Sequence, residues 1–259
     1  MIEGRQATGS CARYRAHTHP TLSVGIVDAG QSTLRLSHRA ISLQGGDAVV
    51  IPPGQVHSCN PRPDQAWSYR MFYLDAVWAR GFVGRNTPDQ VWPQGVISGP
   101  AGSRLIDRIE RALRATGAAN QRQATIGRCL RELFRLCPEK DRATEPPVNA
   151  YLCAARDFLE AHCLEPIPLI HLAQMAGLSP FQLIRRFRNE FGLTPHAYQL
   201  DRRINRTREL LQQGYSLADL ACLCGFSDQS HFQRAFKLRV AATPIQYRTS
   251  PPVKSRRPR

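Results

Sequence analysis

The chain has 259 residues, and 42% of them are hydrophobic, which is enough for the packed cores of one large domain or two ordinary ones. Its 35 Lys and Arg residues outnumber 20 Asp and Glu residues, and the formal net charge of +15 favours a polyanionic partner, either nucleic acid or an acidic membrane surface. No run of 18 apolar residues exists, which excludes a membrane-spanning helix, and the first residues lack the pattern of a secretory signal. We therefore expect a cytoplasmic protein without a membrane partner.

Two features contribute nothing to the fold prediction. The eight cysteines are scattered without a CxxC pair, which is typical of reduced thiols in a cytosolic protein. The letters IEGR at 2–5 match a protease recognition sequence, by chance or as an engineering remnant, and the fold prediction leaves them out.

The hydrophobic pattern of the sequence changes from strand-like to helical near residue 100. Residues 11–100 contain short alternating runs such as TLSVGIV, STLRLSH and WSYRMFYL, separated by turn residues, which predicts strands. Apolar spacing then predicts two antiparallel helices over 103–116 and 120–137, with Ser103 as the N-cap and Gly117 as the stop of the first. The charged, proline-bearing stretch after Cys137 predicts a linker, and everything beyond it has helical periodicity.

Histidines mark a candidate site in the strand-rich half. The stretch GDAVVIPPGQVHSCN at 46–60 resembles the second motif of the cupin barrel, and the HTH letters at 17–19 resemble the histidine pair of the first. In metal cupins this pair, a following acid and the later histidine bind the metal. His17, His19 and His57 would form a plausible set of three imidazoles, but no carboxylate stands where the acid is expected. We therefore expect no metal and no other cofactor; the histidines either line a barrel that binds an organic effector or merely satisfy hydrogen bonds.

Alternation along WSYRMFYL adds further candidates for the same cavity. Trp67, Tyr69, Met71 and Tyr73 share one face of the predicted strand, and Arg70 lies on the other. Aromatic side chains with a few polar groups suit a pocket for a small ligand. The same face could equally be ordinary barrel core.

The helical half contains an internal repeat. LAQMAGLS at 172–179 returns as LACLCGFS at 220–227, and each copy has the layout of a helix-turn-helix with a glycine at the turn. The helix after each turn is predicted over 180–190 and 229–239, with its aromatic residues buried and an outer face of Arg, Gln, His and Ser. Such a face can hydrogen-bond to base edges in a major groove, since Arg suits guanine and Gln suits adenine. The alternative is a solvated face, but two copies in tandem favour DNA binding.

A long helix is predicted between the copies. Thr194 caps it, Pro195 follows at the first helical position, and Gly214 ends it. A rod of this length would hold two reading helices about one duplex turn apart, roughly 34 Å. We expect some of the arginines on this helix to contact phosphates and others to be solvated. They are Arg202, Arg203, Arg206 and Arg208.

At this point the sequence resembles a known family. GFSDQSHFQRAFKLRVAATPIQYR at 225–248 is similar to the signature of the AraC/XylS transcription regulators, whose DNA-binding domain has two helix-turn-helix subdomains joined by a long helix. Two positions depart from the pattern: Ala241 stands where the family has glycine, and Ile184 stands where a polar reader is expected, so it could contact a thymine methyl group. The matching DNA-reading residues are Phe181, Gln182, Ile184, Arg185 and Arg188 in the first copy and Gln229, Ser230, His231, Gln233 and Arg234 in the second.

The resemblance implies a multidomain α and β architecture. We expect a cupin-like effector-binding and dimerisation domain over 11–137, a linker over 138–147, an AraC-type DNA-binding domain over 148–250 and a basic disordered tail over 251–259. The helical hairpin at 103–137 resembles the one through which this family often dimerises, although its apolar faces could instead only cover the barrel.

The expected function is that of a non-enzymatic regulator. It would sense a small metabolite near His17, His19, His57, Trp67, Tyr69 and Met71, bind double-stranded promoter DNA as a homodimer, and activate transcription by positioning RNA polymerase. The alternative function is a metal-dependent cupin enzyme fused to a DNA-binding module.

Overall fold

A computed structural model describes residues 2–36, 39–83, 92–138 and 149–249. The predicted linker, apart from Pro138, and the predicted basic tail lie outside these ranges. Across the part of the chain that is described, no helix combines the length and the hydropathy needed to cross a bilayer.

Two antiparallel sheets form the N-terminal half. Five strands pair in the order β1-β7-β2-β5-β8 and three in the order β4-β3-β6. Their inner faces share one apolar core, which confirms the prediction of strands over 11–100, with one short helix, α1 at Ala76–Arg80. The strands are β1 Ile2–Ser10, β2 Leu22–Ala29, β3 Gln31–Leu36, β4 Arg39–Gln44, β5 Ala48–Ile51, β6 His57–Pro61, β7 Trp67–Leu74 and β8 Gly95–Ile97.

The first strand corrects the sequence interpretation. Leaving out residues 2–5 was wrong, because β1 pairs along most of β7, from the Ile2–Leu74 pair to the Ser10–Trp67 pair. This strand alternates poorly in hydropathy, and its partner lies more than fifty residues away, so local pattern gave no signal for it. The N-terminal fold therefore begins before residue 11.

A helical hairpin covers the outer face of the larger sheet. It consists of α2, Pro100–Arg114, and α3, Ala119–Leu136. Ser103 is not the N-cap: it lies within α2 and donates to Pro100 O at 3.1 Å, and the helix starts earlier, after Gly99. Most apolar residues of both helices, although not Leu136, are buried in one cluster with residues of β2, β5 and β7, so these faces cover the sheet.

Seven helices form residues 149–249, the described part of the C-terminal half. Two apolar cores lie within it, one around Leu183 and Phe187 and one around Phe232 and Phe236, as the repeat predicts. The helices are α4 Ala150–Ala161, α5 Leu169–Met175, α6 Pro180–Phe191, α7 Pro195–Gln212, α8 Leu217–Leu223, α9 Gln229–Val240 and α10 Pro244–Thr249.

Side-chain caps set the starts of α6 and α7 as predicted. Ser179 caps α6 and accepts from the Gln182 amide N–H at 3.3 Å, and Thr194 caps α7 and accepts from Ala197 at the same distance. Asp228 caps α9 in the same way. The two predicted reading helices are therefore real helices that start at the expected residues.

Candidate DNA interface and effector cavity

The N-terminal part of α6 presents an exposed surface. Phe181 is 75% exposed and Ile184 is 37% exposed, while Leu183 and Phe187 are fully buried on the opposite side. Arg185 is also exposed. An aromatic ring this exposed packs against little of the described residues, so this surface is available to a partner.

Gln182 is only half available for base contacts. Its side-chain oxygen accepts from Ser179 N at 3.0 Å, which completes a capping box at the start of α6. Bidentate recognition of adenine needs both the oxygen and the NH₂ group of the amide. While the box holds, Gln182 can offer only its NH₂ group.

Arg188 points to a different place from the other predicted readers of α6. It is exposed, but it lines a groove together with Arg35, Val56 and Gly192, between α6 and the barrel. Arg186, which the sequence interpretation did not include, is exposed on the same helix. In the sequence, only its position next to Arg185 indicates that Arg186 belongs to this surface.

The start of α9 carries the second set of predicted readers. Gln229, Ser230 and Arg234 are exposed, and His231 and Gln233 are half-buried. Asp228 accepts from His231 N at 2.7 Å, and this backbone N–H holds the pKa of the Asp228 carboxyl below its usual value. The five residues that the sequence predicts as readers lie on the first two turns of α9, and their role in reading bases stays a prediction.

The arginines of α7 correct the expectation of phosphate contacts. Arg208 is buried, Arg202 contacts Thr18 and Asp201, and Arg203 donates to Cys163 O at 2.7 Å and to Glu165 O at 2.8 Å. Only Arg206 remains exposed, paired with Glu209 at 2.7 Å. Three of the four arginines therefore hold the fold together, and only the fourth remains for a phosphate.

The predicted effector residues of the barrel converge on one cavity. His17 and His57 face each other as an antiparallel bridge, with N–O distances of 3.0 and 2.9 Å, and the cavity spans about 390 Å³ including the part that opens to solvent. The sequence did not predict four of the lining residues, Tyr14, Ser23, Ile51 and Cys59. Cys59 could have been predicted, because it lies two residues after His57 on β6 and alternate residues of a strand share a face. The full lining is Tyr14, His17, His19, Ser23, Ile51, His57, Cys59, Trp67, Tyr69, Met71 and Tyr73.

Hydrogen bonds fix the tautomers of the three histidines. Arg208 can only donate, so His19 Nδ1, at 2.7 Å from its Nη1, must accept, and the proton of neutral His19 lies on Nε2. That proton points to His17 Nε2 at 3.2 Å, while His17 Nδ1 donates to Arg15 O at 2.8 Å. His57 Nδ1 donates to Gln55 O at 2.9 Å. Burial is the largest cause that lowers the pKa of all three imidazoles, which favours these neutral forms.

The same tautomers bear on metal binding. The candidate ligand atoms of His17, His19 and His57 lie within 4.8 Å of one another. However, a metal on His19 Nε2 would need the proton to be on Nδ1, where Arg208 already donates, and no carboxylate joins the set in the described residues. As arranged, the three imidazoles therefore do not fit a metal ion.

Comparison with known proteins decides the family. Residues 1–147 match the AraC-like ligand binding domain, and residues 172–250 match a helix-turn-helix domain. The chain belongs to the AraC family of transcription regulators. The two matched domains are a ligand-binding and a DNA-binding domain, so the chain is a regulator and not an enzyme, and the alternative of a metal-dependent cupin enzyme is removed.

Relatives along nearly the whole length support the assignment. The chain is 27% identical over 234 residues to the uncharacterised transcriptional regulator YbfI of Bacillus subtilis strain 168, covering 89% of this chain and 85% of the relative. It is 25% identical over 232 residues to the arabinose operon regulatory protein of Escherichia coli K12, covering 85% and 77%. The fold is similar to that of ToxT from Vibrio cholerae, with a TM-score of 0.59 at 9% identity over 95% and 97% of the two chains.

In this AraC-family regulator the cavity wall is also the domain interface. Thr18 N and Oγ1 donate to the Asp201 carboxylate at 3.1 and 2.5 Å, and Asn205 Nδ2 donates to Thr18 Oγ1 at 3.0 Å. Thr18 lies between His17 and His19, so residues of the cavity wall and of α7 are in direct contact. Nothing in the sequence predicted this interface.

Strand β1 forms a second link between the two halves. Glu3 accepts from Tyr247 Oη at 2.9 Å, and Arg5 Nη1 donates to Val240 O at 2.7 Å. Tyr247 Oη in turn accepts from Arg208 Nε at 3.2 Å. These bonds connect β1, α10 and α7 in one network behind the cavity.

Proposed function

We propose that this AraC-family protein is an effector-responsive activator in which a small molecule binds the histidine-lined cavity and α6 and α9 read two half-sites of promoter DNA. The observation that carries the proposal is the position of α7. This one helix lies between the two reading helices and also contacts the wall of the cavity.

DNA reading is assigned to the exposed starts of α6 and α9. In α6 the proposed readers are Phe181, Ile184 and Arg185, with Gln182 as a donor. In α9 they are Gln229, Ser230, His231, Gln233 and Arg234. With 18 residues, α7 is about 27 Å long, which suits two helices that enter successive major grooves. Arg188 is kept as a weaker candidate because it faces the barrel groove.

Effector control is assigned to the contacts between the cavity and α7. A ligand that contacts His19 touches the same imidazole to which Arg208 donates a hydrogen bond. A ligand shifts the equilibrium between two conformations of a protein only if it binds one of them more tightly, and this shared contact provides such a difference. In one crystal structure ToxT is bound to an unsaturated fatty acid, which is consistent with a ligand-binding barrel on this fold.

Further parts of the proposal rest on the family resemblance. They are the activator role, the contact with RNA polymerase, the cytoplasmic location where promoter DNA lies, and the homodimer through 103–137. The apolar faces of the hairpin cover the sheet, so such a dimer would have to use its exposed residues.

A comparison of two arginines tests the DNA-reading part. Arg234→Ala should weaken binding to the promoter by about 1–3 kcal/mol and weaken non-specific binding much less, because a base contact specifies sequence. Arg206→Ala is the matched control, since Arg206 is exposed on α7 outside the two reading helices and should affect promoter and random DNA alike. Equal losses on promoter and random DNA for Arg234→Ala would contradict base reading, and unchanged reporter expression on deletion of the gene would contradict the activator role.

A further inference from the structure

Two polar atoms in the wall of the cavity have no partner. Ser23 Oγ and Trp67 Nε1 are buried, and neither has a hydrogen bond to any described residue. Both residues line the cavity. Buried polar groups in proteins are nearly always hydrogen-bonded, so an unpaired donor beside a cavity indicates a group that a ligand satisfies.

A third atom offers the opposite chemistry. His57 Nδ1 is used by Gln55 O, so His57 Nε2 carries the lone pair, and no described donor bonds to it. The indole N–H of Trp67 can only donate, the lone pair of His57 can only accept, and the hydroxyl of Ser23 can do both. A hydroxyl group on the ligand can meet either requirement, because it donates and accepts.

Much of the rest of the wall is apolar or already paired, apart from the Tyr73 hydroxyl and the Cys59 thiol. Ile51 and Met71 are apolar, the rings of Trp67 and Tyr69 lie 4.3 Å apart, and the Tyr69 hydroxyl is bonded to that of Tyr14. A sugar would place some of its hydroxyl groups against the apolar atoms of Ile51 and Met71, and each unpaired one would cost binding energy. A flat apolar body suits the aromatic faces.

We propose that the effector is a small, uncharged aromatic compound that carries a hydroxyl group, bound by donation to His57 Nε2 and by acceptance from Trp67 Nε1 or Ser23 Oγ. This assignment rests on the proposed effector function of the cavity. It names the chemical class of the effector, which the family assignment leaves open.

An acidic ligand fits the same wall less well. A carboxylate only accepts hydrogen bonds, so it would face the lone pair of His57 without a donor between them. The positive charge of Arg208 behind His19 acts in the other direction and favours an anion. The affinity for a carboxylate of similar size therefore shows whether the lone pair of His57 or the charge of Arg208 has the larger effect.

Four probes of defined chemistry test the class on the full-length protein by isothermal titration calorimetry. Phenol is the expected ligand type, toluene has the same shape without the hydroxyl group, benzoate carries the charge, and L-arabinose is the polyhydroxylated case. We expect phenol to bind at least about fivefold more tightly than toluene, the ratio that one neutral hydrogen bond provides. Benzoate and L-arabinose should bind more weakly than phenol.

Two matched variants place the probe in the cavity. Trp67→Phe keeps an aromatic ring but removes the donor, so it should reduce the phenol-to-toluene ratio about fivefold if that donor is used. Trp78→Phe makes the same change on α1, outside the cavity, and should leave the ratio unchanged. Ser23→Ala serves as the second cavity variant if Trp67→Phe does not fold. If both phenylalanine variants change the ratio equally, phenol does not bind at this site.

The remaining outcomes overturn the class in distinguishable ways. Tighter binding of benzoate or of L-arabinose would show an anionic or a polyhydroxylated effector and would leave the proposed function intact. Absence of binding by all four probes would also overturn the class, and a metabolite screen by thermal shift would then test the function itself. A specific stabilising metabolite would keep the effector function, and its absence would remove it.

Discussion

Arg208 Nη1 and His19 Nδ1 lie 2.7 Å apart and join the DNA-binding half to the effector cavity by one hydrogen bond. Arg208 is buried and bonds directly to the neutral groups of His19, Tyr247 and Asn205, while the Glu3 carboxylate lies one hydrogen bond further away, on Tyr247 Oη. A buried guanidinium whose direct partners are neutral keeps part of its desolvation cost. The contact is therefore a place where a small change in the cavity can alter how firmly α7 is held.

Arg208→Lys should loosen this interface. Lysine keeps the charge but lacks the planar fork that reaches both His19 Nδ1 and Tyr247 Oη. We expect faster amide hydrogen exchange at Thr18, whose N–H donates to Asp201, and along α7. Arg206→Lys on the same helix is the control, because Arg206 is exposed. Identical exchange in the two variants would show that the Arg208 contacts do not hold the domains together.

Local signals predicted the helical half well. The repeat, the caps Ser179 and Thr194 and the buried Phe187 and Phe232 all follow from contacts within a few residues, and all are present. Such features depend on helical periodicity and on capping, which a single sequence displays. The lining of the cavity was also predicted in part, because alternation places Trp67 and Tyr69 on one face of a strand.

The domain interface could not be predicted in this way. Thr18 and Asp201 are separated by 183 positions, and no local pattern links them. The same holds for Arg208, which looks on a helical wheel like a solvated or phosphate-binding arginine but is buried against the barrel. A charged residue on a helix reveals its role only when the partner surface is known.

The three buried histidines predict a pH-dependent stability. Burial lowers the pKa of His17, His19 and His57 in the folded state below the value of about 6.5 in the unfolded chain. As the pH falls through that value, the unfolded chain binds protons that the folded chain does not, so the free energy of unfolding decreases. The slope can reach about 1.4 kcal/mol per pH unit for each histidine.

Urea unfolding between neutral and mildly acidic pH measures this slope. His57→Gln should reduce this slope by the contribution of one histidine, whereas His171→Gln, at an exposed position, is the matched control. Proton titration of the imidazole signals by NMR in the folded protein gives an independent reading. Ordinary pKa values for the three cavity histidines would contradict the prediction.

Ala241→Gly should stabilise the protein. Ala241 follows α9 with φ of +49°, and the equivalent position after α6 is Gly192 with φ of +76°. A left-handed backbone conformation costs an alanine about 1–2 kcal/mol, and substitution by glycine removes this cost. Part of the benefit is lost because glycine has more conformational freedom in the unfolded chain. We expect the free energy of unfolding, measured with urea, to increase by about 0.5–1 kcal/mol.

The control for this change is Ala154→Gly, at an exposed position within α4. There the same substitution should destabilise by about 1 kcal/mol, because glycine in a helix interior is unfavourable. Equal losses in the two variants would mean that the backbone at Ala241 is not strained.

Removal of residues 251–259 should weaken DNA binding without changing sequence preference. This segment carries four positive charges, Lys254, Arg256, Arg257 and Arg259, and no negative ones. Each phosphate contact that is lost lowers the slope of log K against log salt concentration by about 0.9. The slope should therefore fall equally for promoter and random DNA, and a variant with glutamine at the four positions should behave like the truncation. If the truncated protein preferred a different promoter sequence, the segment would be contacting bases rather than phosphates.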